Sequence, residues 1–87
     1  MSGLNRGKFD IIADILREIE SEAERTRVQT EVGIPTNRCK AYLQKLENHG
    51  LAEKEKQPTS LWKITDKGRQ FLEEYKSVRK IIPRNNS

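Results

Sequence analysis

The stretch from 33 to 50, GIPTNRCKAYLQKLENHG, constrains the fold more than any other part of the chain. Gly33 supplies the permissive backbone that a sharp corner needs. Pro35 fixes φ at the start of a following helix. Cys39, Tyr42, Leu43 and Leu46 recur at spacings of three and four, which makes one buried stripe. Thr36, Asn37, Arg38, Lys40, Ala41, Gln44 and Lys45 are left facing outward. The pattern predicts a turn and then a helix over 35–49, apolar behind and rich in amides and cations in front. Gly50 suits the position just past its C-terminus.

The flanking segments have their own periods. From Gly7 to Ala23 the pattern is helical, with Phe9, Ile12, Leu16 and Ile19 on one stripe and Ile11 and Ile15 widening it. Asp10, Asp14, Arg17 and Glu18 are expected on the opposite, solvated face. Glu20, Glu22 and Glu24 make the C-terminal end acidic, which opposes the helix dipole and predicts fraying over 21–24. Thr26 and Gln29 have the spacing of a capping box for a short helix over 27–32, with Val28, Val32 and Ile34 pointing inward. Residues 51–56 and 61–65 read as two short strands joined by a polar turn at Gln57-Pro58-Thr59-Ser60. Trp62 and Ile64 share parity and are expected in the core. Lys54 and Lys56 share parity on the first strand, and Lys63 is expected to be exposed. Thr65 or Asp66 caps a last helix striped by Phe71, Leu72, Tyr75 and Val78, with Ile81-Ile82-Pro83 stopping it. Gly68 weakens that helix unless something packs closely there.

With 87 residues the chain has room for one small domain. It is expected over 7–80, with an N-terminal arm at 1–6 and a tail at 81–87. Such a core is marginally stabilising by itself, and dimerisation would add burial. Charge is unevenly placed. Residues 1–24 hold three basic and six acidic groups, whereas residues 25–87 hold fourteen basic and seven acidic. A polyanion partner on the second part is the simplest use of that asymmetry. One cysteine allows no internal disulfide. No apolar run approaches a membrane span, and no apolar signal region opens the chain. The expectation is a cytoplasmic, nucleoid-associated protein without membrane partners.

The order is helix, short helix, helix, strand, strand, helix. The turn Gly33-Ile34-Pro35, then Leu43-x-x-Leu46-x-x-x-Gly50-Leu51, a hairpin, and Ile64-Thr65-Asp66-Lys67-Gly68 resemble the winged helix-turn-helix family. The Thr-x-Lys-Gly start of the last helix and Phe9-Asp10-Ile11-Ile12 are similar to small archaeal-type winged-helix DNA-binding proteins and regulators. The resemblance covers residues 7–80. It implies a mainly α fold with a small β-hairpin, a recognition helix at 35–49 and a wing at 51–64. It also implies duplex DNA as partner, a transcriptional regulator as role, and pairing of the last helix with its copy. The last helix is short beside relatives that pair through a long antiparallel coiled coil.

On that frame Asn37, Arg38 and Gln44 are the candidates for base edges, since Arg suits guanine and Asn or Gln suits adenine. Arg25, Arg27, Thr36, Lys40 and Lys45, with Lys54, Lys56 and Lys63 from the wing, are candidates for phosphates. Tyr75, Val78, Ile81 and Ile82 are candidates for a homodimer contact, with Phe71, Leu72 and Tyr75 also covering the first helix. A protein-interaction module and a chromatin-like, non-specific DNA binder are the alternatives. Cys39 reads as a small buried filler, and His49 stands in a last turn, where a cation is favourable. These two are the only soft metal ligands and point in different directions, so no metal, cofactor or small-molecule ligand is expected. No nucleophile–base pair and no glycine-rich phosphate loop points to an enzyme.

Overall fold

The computed structural model describes residues 7–56 and 60–83. The expected arm at 1–6, the turn residues 57–59 and the end of the tail at 84–87 lie outside the described residues. The order is α1 (Lys8–Glu18), a 3₁₀ turn (Ile19–Ser21), α2 (Arg25–Val32), α3 (Thr36–Asn48), β1 (Ala52–Glu55), β2 (Leu61–Ile64) and α4 (Asp66–Ile81). The strands pair antiparallel, with Ala52 opposite Ile64 and Lys54 opposite Trp62. This is the winged helix-turn-helix arrangement that the resemblance implies.

Helix α1 is the centre of the molecule. Ile11, Ile12, Ala13, Ile15 and Leu16 are all buried, because α2 packs on one side of it and α4 on another. A helix covered on most sides has little solvated face left. Two expectations fail here for that reason. Asp10 is buried, at 5% exposure, and faces α4. Phe9 is 61% exposed, at the first turn, and its ring lies against Phe71, with centroids 6.2 Å apart.

The α-helical part of α1 ends at Glu18, short of the expected Ala23. The chain there tightens into the 3₁₀ turn, Glu22 takes φ 52°, and Ala23 forms a two-way bridge with Trp62. The Ala23 N–H donates to the Trp62 carbonyl at 3.0 Å, and the Trp62 N–H donates back at 2.8 Å. A pair of backbone bonds supplies what the helix dipole withholds, and it fastens the hairpin to the helical body. The expected capping box does not form. Helix α2 begins two residues earlier, with Glu24 in extended conformation as N-cap, so Thr26 lies inside the helix.

The segment Thr65-Asp66-Lys67-Gly68 locks the wing and both flanking helices together. Thr65 Oγ1 accepts from the Gly68 N–H at 3.0 Å and donates to the Gly50 carbonyl at 2.6 Å. The Lys67 ammonium donates to the His49 carbonyl at 2.9 Å, covering an open acceptor at the end of α3. Gly68 has no room for a side chain: a Cβ there would lie 2.3 Å from the Leu51 carbonyl oxygen and 2.7 Å from Ile64. Glycine costs such a helix about 1 kcal/mol of propensity, and the close approach of the two backbones is what that cost permits.

Candidate nucleic-acid interface

The corner before α3 forms as its residues require. Gly33 adopts φ 77° as the left-handed cap of α2, and its N–H donates to the Gln29 carbonyl at 2.9 Å. Pro35, at φ −64°, is the N-cap of α3. A polar chain braces the corner from outside: Arg25 donates to Gln29 Oε1, and Gln29 Nε2 donates to Thr36 Oγ1 at 2.7 Å. At the other end Gly50 takes φ 76°. Its N–H reaches the Glu47 carbonyl at 3.0 Å, and that of Leu51 reaches the Leu46 carbonyl at 2.8 Å. This paired closure is the Schellman motif.

Between these ends α3 is held by Cys39, Leu43 and Leu46, each buried to 2% exposure or less. Burial raises the Cys39 thiol pKa, against the opposing pull of the Arg25 charge, so the thiol stays protonated and unreactive. Each residue turns the helix by about 100°, which fixes the opposite face. Asn37, Ala41, Gln44 and Asn48 lie furthest from the buried stripe and form an apex of amides around one methyl. Cations stand on the flanks: Arg38 and Lys45 on one side, Lys40 on the other. Gln44 donates to Glu47 at 3.3 Å and to Asn48 at 3.1 Å, both at the surface.

Each flank meets a hollow. On the Lys40 side a cleft of about 480 Å³ runs between the start of α2, α3 and the wing. Leu43 and Trp62 line it beside Arg25, Lys40, Gln44, Lys54 and Glu24. The Lys54 ammonium stands 5.6 Å from the centre of the Trp62 ring, its cross-strand partner. Trp62 is thus core on one side and a platform for a cation on the other. On the far flank Arg38, Ala41, Tyr42 and Lys45 surround a shallower hollow of about 130 Å³. There the Arg38 guanidinium lies 5.9 Å from the centre of the half-buried Tyr42 ring.

The remaining cations are set apart. Arg27 turns to Glu18 of α1 at 3.8 Å. Lys63 pairs with Glu55 at 3.7 Å, on the opposite face of the hairpin from Lys54. Lys56 is exposed just beyond β1. Gln29, Trp62 and Ser60 are members of this surface that residue type alone did not mark; neighbours brought by the fold place them there.

The opposite side of the molecule carries a different cluster. Asp10 accepts from the Tyr75 hydroxyl, from Arg79 Nη2 at 2.8 Å and from the Gly7 N–H at 3.0 Å. Burial alone would raise its pKa, but the Tyr75, Gly7 and Arg79 hydrogen bonds and the Arg79 charge together lower it to about 2. Tyr75, expected at a dimer contact, is 7% exposed, because its hydroxyl is drawn inward to Asp10. Val78, Ile81 and Ile82 are exposed at 50%, 80% and 54%. Phe9, Phe71, Tyr75, Val78 and the Arg79 stem line an apolar groove of about 230 Å³ beside them. Among the described residues no three His, Cys, Asp or Glu side chains converge as a metal ion requires, and no helix is long and apolar enough to cross a membrane.

Comparison with known proteins agrees with this architecture. Among solved structures the chain is similar to Sso10a-2, a DNA-binding protein from Sulfolobus solfataricus, at 30% identity over 88% of this chain and 85% of that one, with a TM-score of 0.76. It shares its fold with Sco5413, a MarR family transcriptional regulator from Streptomyces coelicolor (20% identity, 82% of this chain, 54% of that chain, TM-score 0.74). It also shares it with the homodimeric winged helix-turn-helix DNA-binding domain of Mb0332 from Mycobacterium bovis, a possible ArsR-family transcriptional regulator (21% identity, 98% and 76% coverage, TM-score 0.62). No curated protein matches the sequence. The winged helix-turn-helix family model matches residues 5–82, nearly the whole chain, and the chain belongs to that family.

Proposed function

We infer that the chain is a non-enzymatic duplex-DNA-binding protein, a homodimer of the transcription-regulator type, with α3 in the major groove. The observation that carries this reading is the layout of α3: amides at the apex, cations on both flanks. A helix is about 10–12 Å across and the major groove about 12 Å wide. A helix lying in it meets base edges with its apex and a phosphate backbone with each flank. Asn37 and Gln44 meet bases. Arg38, expected from its residue type at a base edge, lies over Tyr42 on the flank, and in this reading it joins Lys45 on one backbone instead. Lys40, Arg25 and Lys54 take the other across the cleft, with Thr36 and Lys56 at its ends. The likeness to the Sulfolobus DNA-binding protein supports the same partner.

The exposed Phe9, Val78, Ile81 and Ile82 support pairing through the α1–α4 side. That side lies away from α3, so a two-fold dimer would set two copies of α3 on a pseudo-palindromic site. An anisotropy titration of a labelled duplex across a salt series tests the reading. The six cations placed on the backbones give a log–log slope of about −5. Reversing two of them in Arg38→Glu/Lys45→Glu removes two attractions and adds two repulsions, and affinity should fall about a hundredfold or more. Unchanged affinity in that variant would end the proposal.

A further inference from the structure

We propose that the apex of α3 selects A·T base pairs, with Asn37 and Gln44 on adenine and the Ala41 methyl on thymine. This rests on the duplex-binding reading above and names the bases that α3 chooses. Asn37, Ala41 and Gln44 are spaced i, i+4, i+7, so they form one line along the helix. At 1.5 Å per residue the line is about 10 Å long, which matches about three base-pair steps of 3.4 Å. Each member has its best-matched partner on an A·T pair: an amide donates to adenine N7 and accepts from its N6 amine in one bidentate contact, and a methyl packs on the thymine C5-methyl.

The groups that favour G·C pairs are not in this line. Arginine and lysine are the guanine readers, and here both types stand on the flanks. Arg38 is the cation of the first turns, and its guanidinium lies over Tyr42, on the side facing a backbone. Glu47, whose carboxylate suits the cytosine amine, stands in the last turn and accepts from Gln44 at 3.3 Å. The bonds of Gln44 to Glu47 and Asn48 are at the surface, so exchanging them for an adenine edge costs little.

The test compares three duplexes of equal length whose central pairs are mixed-order A·T, G·C, or inosine·cytosine. An inosine·cytosine pair shows the major groove the pattern of G·C, but it lacks the minor-groove amine and there matches A·T. The expected result is A·T binding about a hundredfold tighter than both others, with G·C and inosine·cytosine alike. Replacing thymine by uracil should weaken the A·T duplex about fourfold, the effect of one methyl. Asn37→Ala/Gln44→Ala, at exposed positions and checked for native circular dichroism, should cut the preference to the roughly fourfold share of the Ala41 methyl and keep the salt slope. Inosine·cytosine bound as tightly as A·T would overturn the proposal in favour of minor-groove reading. Equal binding of all three duplexes would overturn it while leaving duplex binding intact. Failure to bind any duplex would overturn both readings.

Discussion

The two sides of this molecule handle polar groups in opposite ways. Along α3 the charged and amide side chains are exposed, lightly paired and free to change partners. Across α1 and α4 one carboxylate is buried and accepts from Tyr75, from Arg79 and from the Gly7 N–H, while aliphatic and aromatic groups face outward beside it. A surface that meets a polyanion in water keeps its cations hydrated until contact, and loses little stability when they are altered. A surface that sets the angle between two helices needs fixed partners, and leaving one of them unmatched is costly. The side that holds the fold and the side proposed to meet DNA should therefore separate cleanly under mutation.

Removing Asp10 tests that separation most severely. Asp10→Ala removes the carboxylate that accepts from the Tyr75 hydroxyl and from Arg79 Nε and Nη2. Arg79 keeps 28% of its side-chain surface exposed, so water relieves part of the loss, and the expected cost is about 3 kcal/mol in urea unfolding. Arg38→Ala/Lys45→Ala, on the other side, should change stability by less than about 1 kcal/mol. A comparable cost for the two variants would erase the distinction.

Acid offers a second, smaller test of the same contrast. The Asp10 pKa falls from 3.8 to about 2 on folding, so the unfolded chain takes up its proton first as pH drops. The stabilisation is full above about pH 5 and disappears as pH falls through 2. One pKa unit corresponds to about 1.4 kcal/mol, so the loss is about 2 kcal/mol. Unfolding measured at pH 5 and pH 2 should show it in the native chain, and Asp10→Ala should lack that part of the pH dependence.

The two sides were unequally legible in the sequence. Most of α3 could be read, because a period of three and four fixes both its buried stripe and the face opposite. The Gly33–Pro35 corner, the Gly50 cap and the parity of Trp62 and Ile64 are local chemistry and appear as expected. The failures cluster on α1. Its pattern of isoleucines predicts one buried stripe, but α2, α4 and the hairpin surround it. Only tertiary packing decides that Asp10 goes inward and Phe9 outward. The tie between Asp10 and Arg79 spans 69 positions, and nothing local announces it. Ala23 likewise gives no hint that it will pair with Trp62. The wing lysines show a milder limit: the strand pattern gives parity, but the pairing of Lys63 with Glu55 needs the register.

The outward apolar groups of the α1–α4 side predict a pairing effect without a folding effect. Val78→Asp/Ile81→Asp changes two exposed positions, so the unfolding midpoint of the monomer should move little. If these side chains are covered in a dimer, each loses about 1.5 kcal/mol of burial, and the dimer dissociation constant should rise more than tenfold per residue. Sedimentation equilibrium at several concentrations reads this directly. Identical weight-average masses for both proteins would remove α4 from the dimer contact.

The smallest effect sharpens the contrast from the α3 side. Lys45 is exposed on the flank of α3 and has no buried partner to abandon. Lys45→Gln keeps the length and helix propensity of the side chain, so stability should change by less than about 0.5 kcal/mol. Losing one phosphate contact should reduce the magnitude of the salt slope by about 1 and weaken duplex binding several-fold near physiological salt. The preference among base pairs should be untouched, since a flank contact positions the helix and carries no sequence information. A variant that altered base preference while keeping the slope would place Lys45 at the apex, and the division of α3 into reading and holding surfaces would have to be redrawn.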